Sequence, residues 1–316
     1  MVKANQVLLV TDESSLYLLN DLYCLPGINS YIIKNETNFL LSLLRKIHLN
    51  KKVANYLWLP KRDMWFDKKK IVNSIPNNGV LLTNSAAMCM PSKDFWDDIM
   101  RKRPDAKFVL LLVDSMHTLG GHMVETRTRL KSMHWNLILS YDKYDCEEFG
   151  FKYIGLNYYS KYNIVQKEIK NDLYYISSVK NGRARILREI NRACNMNDVK
   201  KIFHIYSMWR VISYGKCIRK VMSYDDVIKN ISESNCILEI TQSGQKAQTL
   251  RYLEAVIYGK KLLTNNQAIV ELPFYNQNQM KFFNNVEDID WEWVKKREDF
   301  NSVIIDSSSA NLLNFI

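Results

Sequence analysis

Short apolar runs bounded by polar turns alternate along this chain with stretches whose apolar positions recur at helical spacing. In the first half, Gln6–Thr11, Tyr31–Lys34, Val53–Leu59, Val80–Thr83, Phe108–Val113, Leu137–Ser140 and Tyr153–Gly155 read as strands, each too short for a helix. Between them, Phe39–His48 and Lys93–Arg101 carry the amphipathic helical period, and Glu125–Lys131 is a more polar helix candidate. Alternation of this kind predicts a parallel sheet with helices on both faces.

A polar, tyrosine-rich passage from Asn157 to Asp172 interrupts the pattern, and a second set then begins. It reads as strand Leu173–Ser177, a turn at Lys180-Asn181-Gly182, helix Arg183–Cys194, strand Lys201–Tyr206 and helix Tyr224–Ser232. The chain is therefore expected to form an α/β protein of two domains, residues 1–165 and 166–290. A tail, 291–316, opens with a helix at Trp291–Arg297 and is expected to pack back on the first domain.

The most informative unit runs from Ser232 to Asn266. Strand Cys236–Ile240 is followed by a polar turn holding Gly244, then by Leu250, Leu253, Val256 and Ile257 at helical spacing. Gly259 stops that helix, and Lys261-Leu262-Leu263-Thr264 restarts a strand. In a strand–turn–helix unit the loop and the first helical turn face the crevice at the carboxyl edge of the sheet, where unpaired N–H groups favour an anion such as a diphosphate. Gln242, Ser243, Gln245, Lys246, Thr249 and Arg251 gather there, with Glu254 one turn on.

Gln245, Thr249, Arg251 and Glu254, with Gly259-Lys260-Lys261-Leu262 and Thr264-Asn265-Asn266, resemble the donor-domain signature of bacterial GT-B-fold glycosyltransferases that build capsule, O-antigen and lipopolysaccharide chains. The resemblance extends forward to Phe274-Tyr275-Asn276 and back to Asp142-Lys143-Tyr144-Asp145. It implies two facing Rossmann-like domains, a nucleotide-sugar donor held by the second and a glycan or lipid-linked glycan acceptor held by the first. It also implies that Glu254 accepts hydrogen bonds from a nucleotide ribose. The wider class often carries a second glutamate eight positions earlier, where this chain has Lys246. That departure leaves the sugar-contacting group and the stereochemical outcome open.

Composition sharpens this in two respects. The formal net charge is +11, with clusters at Lys51-Lys52, Lys68-Lys69-Lys70, Arg101-Lys102-Arg103, Lys200-Lys201 and Lys295-Lys296-Arg297. Any one of them reads most simply as solvated surface. Their sum suits an anionic partner, and a membrane carrying lipid-linked acceptors fits better than nucleic acid, for which no motif is present. Six cysteines without a CxxC pair suggest reduced, buried thiols. No apolar run is long enough to cross a bilayer, and Val7-Leu8-Leu9-Val10 runs straight into Asp12 and Glu13 as a first strand rather than a leader. The expectation is a cytoplasmic protein, peripheral on the inner face of the membrane. Alternative readings are a non-catalytic scaffold of the same fold and a basic nucleic-acid-binding protein.

Lys180 and Arg183 stand at the first turn and helix start of the second domain, where Arg183 can meet a diphosphate bidentately. Thr249 serves equally well as a helix cap. In the first domain Asp114 and His117 follow strand Phe108–Val113 and precede the Gly120-Gly121 pair, a position suited to a general base. Asp12 and Glu13, after the first strand, form a second such group. With Arg, Lys and helix N–H groups on the diphosphate, neither metal nor cofactor is expected, and the nucleotide-sugar is a substrate.

Overall fold

The computed structural model describes residues 2–49, 62–118, 122–160, 162–163, 167–178, 183–207, 212, 214–218, 222–241, 246–303, 305 and 307–316. The expected strand at Val53–Leu59 lies outside these residues. The chain divides into two compact units, one of residues 1–161 with 307–316 and one of residues 162–306. Each holds a six-stranded, wholly parallel sheet with helices, so the fold is α/β with two Rossmann-like domains.

In the first unit the strands are β1 (Val7–Asp12), β2 (Asn29–Ile33), β3 (Val80–Asn84), β4 (Lys107–Leu111), β5 (Leu137–Ser140) and β6 (Lys152–Tyr153), in the order β2-β1-β3-β4-β5-β6. Every residue of β1 and β3 is buried, as expected of central strands covered on both faces. The helix Lys93–Lys102 is capped by Ser92, whose hydroxyl accepts from the Phe95 amide at 3.1 Å. It buries Phe95, Trp96 and Ile99 in the core.

One helix inverts the expected arrangement. Phe39–Leu49 has the helical period, yet its only buried residue is Arg45, and its apolar stripe faces solvent.

The second unit has β7 (Asn171–Ser178), β8 (Lys201–Tyr206), β9 (Lys216–Ile218), β10 (Ser234–Glu239), β11 (Lys261–Thr264) and β12 (Met280–Phe282), in the order β12-β11-β10-β7-β8-β9. The helix Trp291–Lys295 is held against this unit by Lys261. That ammonium, buried in the core, donates to the carbonyls of Trp293 and Lys296 at 2.8 and 2.7 Å, pairs with Glu298 at 3.1 Å and lies 5.0 Å from the Trp293 ring centre. Residues 307–316 belong to the first unit. The Ser309 hydroxyl shares a 2.8 Å hydrogen bond with that of Ser160 and accepts from the Leu22 amide at 3.1 Å.

Both strand orders contain a reversal. The chain leaves β1 for β2 on one side and returns to β3 on the other, and it leaves β7 for β8 before returning to β10 on the opposite flank. Ligands of open parallel sheets bind outside the carboxyl ends of the strands at such reversals. The places to look are the ends of β1 and β3, and of β7 and β10.

Candidate functional site

At the reversal of the second unit, β7 ends in Ser177-Ser178 and the helix Arg183–Met196 begins at Arg183. Arg183 donates from Nη1 to the Ser177 hydroxyl at 2.8 Å, while its buried Nε has no partner. A guanidinium with an unsatisfied N–H is incomplete in the protein alone. Lys180 and Gln245 lie outside the described residues. Lys246 is exposed, and its carbonyl accepts from the Asn266 side chain at 3.2 Å.

β10 ends at Glu239, a fully enclosed carboxylate that accepts from the hydroxyls of Thr249 and Thr264. Burial pushes its pKa up, while the two threonine bonds and the charges of Arg251 and Arg183 pull it back. Arg183, from the helix after β7, and Arg251, from the helix after β10, therefore act on the same buried acid. Thr249 is a cap, as its alternative reading had it: its hydroxyl also accepts from the Tyr252 amide at 3.3 Å. Glu254 has no exposed surface. Its oxygens accept from the Tyr224 hydroxyl at 2.6 Å and from Arg251, and burial raises its pKa as well. A carboxylate so enclosed orients Arg251. The hydroxyls of Tyr174 and Tyr252 are also buried here without partners. Sequence reasoning missed Glu239, although a carboxylate closing an apolar run was its visible signal.

In the first unit the structure separates Asp114 from His117. Asp114 lies 3.8 Å from Nε2 of His122, which is 3.2 Å from the hydroxyl of Ser85 just past the end of β3. His117 turns the other way, toward the helix Lys143–Phe149. Its Nε2 is 3.2 Å from Glu148 and 3.7 Å from Asp145. Asp145 causes this division. It is fully buried and accepts from the Met116 amide at 2.8 Å and from the Ser115 hydroxyl at 3.3 Å, fixing the loop between the two candidates. Asp142 caps the same helix through the Tyr144 amide at 2.9 Å. The Asp142-Lys143-Tyr144-Asp145 run therefore braces the loop. Asp12, at the end of β1, is nearly enclosed. One of its oxygens accepts from Ser14, and the other has no partner. Glu13 accepts from the Asn35 amide at 2.9 Å. Among the described residues, no three His, Cys, Asp or Glu side chains converge as a metal site.

Burial is the main reason the pKa of Asp145 rises to about 6, with the neighbouring Asp142 adding to it and His117 opposing it. Its protonated form is thus favoured on folding. Stability is greatest below the unfolded value near 4 and is lost as pH rises through about 6. Asp145→Asn should remove this dependence, gaining on the order of 2 kcal/mol relative to wild type between about pH 4 and pH 7. Denaturant unfolding at the two pH values measures it, and a constant difference would refute the assignment.

No protein-family model matches this chain, and no curated protein sequence matches it. Among solved structures it is similar to the T4 phage β-glucosyltransferase, at 10% identity and a TM-score of 0.48, over 91% of this chain and 87% of that one. It is also similar to the apo form of the lipopolysaccharide outer core galactosyltransferase WaaB, at 13% identity and a TM-score of 0.40, over 82% of this chain and 80% of that one. A UDP-N-acetylglucosamine 2-epimerase is similar at 11% identity and a TM-score of 0.43, over 99% of this chain and 94% of that one.

Proposed function

We propose that this protein is a glycosyltransferase that moves a sugar from a nucleotide-sugar donor to a bacterial surface-glycan acceptor, such as a capsule, O-antigen or lipopolysaccharide intermediate. The observation that carries the reading is Arg183, whose buried, unpaired Nε sits at the strand reversal of the second unit. The donor signature beginning at Gln245 supports the choice of a nucleotide-sugar over other anions. In the reaction an acceptor oxygen bonds to the anomeric carbon as the bond to the diphosphate breaks, and the nucleoside diphosphate leaves with the electron pair. Arg183 and Lys246 neutralise the charge that grows on the leaving group, a role the sequence extends to Lys180, and Gln245 adds a neutral hydrogen-bond donor. Arg251 is held in place by Glu254, and Thr249 fixes the helix that carries both.

The acceptor side belongs to the first unit, at the inner face of an anionic membrane. Lys68, Arg101 and Lys102 support this, since all three reach Asp98, at 3.0, 2.6 and 2.9 Å, leaving the cluster with an excess of positive charge. Arg103 takes no part, because it turns inward to the carbonyls of Val72 and Pro76 and to Asp105.

Titration calorimetry of the full chain with a panel of nucleoside diphosphates tests the donor site. Arg183→Ala should weaken binding roughly tenfold to a hundredfold, the loss of one charge-assisted contact of about 1.5–3 kcal/mol. Equal affinity in the variant and wild type would remove Arg183 from the site. Failure of every nucleotide to bind wild type would remove the reading itself.

A further inference from the structure

The helix Phe39–Leu49 is inside out. Arg45 is only 7% exposed, donating to the Lys34 carbonyl at 2.5 Å, pairing with Glu36 at 3.7 Å and lying 5.7 Å from the ring centre of Phe66. Phe39, Leu40 and Leu44 are instead 78%, 67% and 56% exposed, and Leu43 and Ile47 join them on one stripe. The orientation is held from both ends. The Asn38 side chain accepts from the Leu40 and Leu41 amides at 3.0 and 3.2 Å, and the Trp65 indole donates to His48 at 2.9 Å. Met64, on the short 3-10 turn that contacts this helix, is exposed too. Rotating the helix would bury the stripe, but it would strip Arg45 of its partners.

We propose that this helix lies in the headgroup boundary of an anionic lipid membrane, with Phe39, Leu40, Leu43, Leu44 and Ile47 entering the acyl region. A contiguous apolar stripe on a folded surface marks an interaction site, whereas scattered single residues do not. The charge around the stripe selects lipid over a second copy of the chain. Exposed Lys34 precedes the helix and exposed Lys46 lies on it, in a chain of net charge +11, so two copies repel while anionic headgroups attract. This rests on the membrane partner proposed above, is independent of sugar transfer, and adds an apolar contact that the basic clusters lack.

Co-sedimentation of the full chain with vesicles of mixed phosphatidylglycerol and phosphatidylcholine, and with pure phosphatidylcholine, tests it. Wild type should bind the anionic vesicles at low salt, and part of that binding should persist at high salt, because apolar insertion is not screened. The double variant Leu40→Glu/Leu44→Glu should bind at least about tenfold less at either salt, with unchanged circular dichroism and nucleotide affinity, since both side chains already face solvent. Lys46→Gln should weaken only the low-salt binding. Wild type that ignores vesicles overturns the membrane partner altogether. Wild type that binds as well as the double variant overturns the helix alone. A concentration-dependent dimer that the double variant abolishes, without lipid binding, assigns the stripe to a second copy and also overturns the proposal.

Discussion

Gly259→Ala is expected to destabilise the second unit by on the order of 3–4 kcal/mol, far more than a surface substitution does. Two costs add. Gly259 has φ of +59°, a left-handed conformation that costs an L residue roughly 1–2 kcal/mol. The new Cβ would stand 2.2 Å from the carbonyl oxygen of Phe300 and 3.3 Å from the Ser302 amide nitrogen, and a backbone atom cannot swing aside as a side-chain tip does. Relief requires moving the segment that passes over the helix end, at the expense of the 3.2 Å bond from the Val303 amide to the Val256 carbonyl. Gly150 supplies an internal control. Its φ is +71°, but a Cβ there meets nothing within 4 Å, so Gly150→Ala should lose only the conformational part. Denaturant unfolding of both variants separates the costs, and equal losses would show that the close approach at Gly259 is absent in solution.

The lysines that follow Gly259 also fasten the fold. In Gly259-Lys260-Lys261 the glycine permits the crossing, Lys260 donates to the Ser232 carbonyl at 3.1 Å, and Lys261 holds the helix Trp291–Lys295. Burial lowers the pKa of Lys260 to about 8.

Buried central strands were legible because a run as short and apolar as Val7–Val10 suits a strand covered on both faces better than a helix. The edges were not. β9 and β12 are three residues each, and Lys216, Lys281 and Phe282 leave too little apolar pattern to distinguish a strand from a loop. The period of Phe39–Leu49 was legible, but its direction was not, because Arg45 finds its partners on Lys34, Glu36 and Phe66, which no helical wheel contains. That Arg183 opens the helix after β7 was legible from its place after a strand and a glycine. The enclosure of Glu254 was not, since Tyr224 lies thirty residues away in sequence. The contact of Ser85 with His122 escaped notice because only the adjacency of β3 and β4 brings their loops together.

Asp114→Asn is expected to cut turnover by roughly 100- to 10,000-fold while leaving nucleotide affinity intact, provided the transfer inverts configuration and so needs a base for the acceptor hydroxyl. His117→Ala should stay within a few-fold of wild type. Sequence position favoured the two almost equally; the loop geometry divides them. His117 is engaged by Glu148 and Asp145 on the side of β5, whereas Asp114 points toward His122 and Ser85, beside the end of β3 where the strand order reverses. A proton taken by Asp114 would sit 3.8 Å from an imidazole already touching Ser85, so His122→Ala should also lower turnover, and should shift its pH profile as the loss of a positioning group would. Steady-state rates with a saturating donor, alongside calorimetric donor affinity, separate the base from a binding residue. Near-normal turnover in Asp114→Asn would move the base to Asp12, whose unpaired oxygen lies at the end of β1 on the other side of the same reversal, or would point to a retaining transfer that needs no such group.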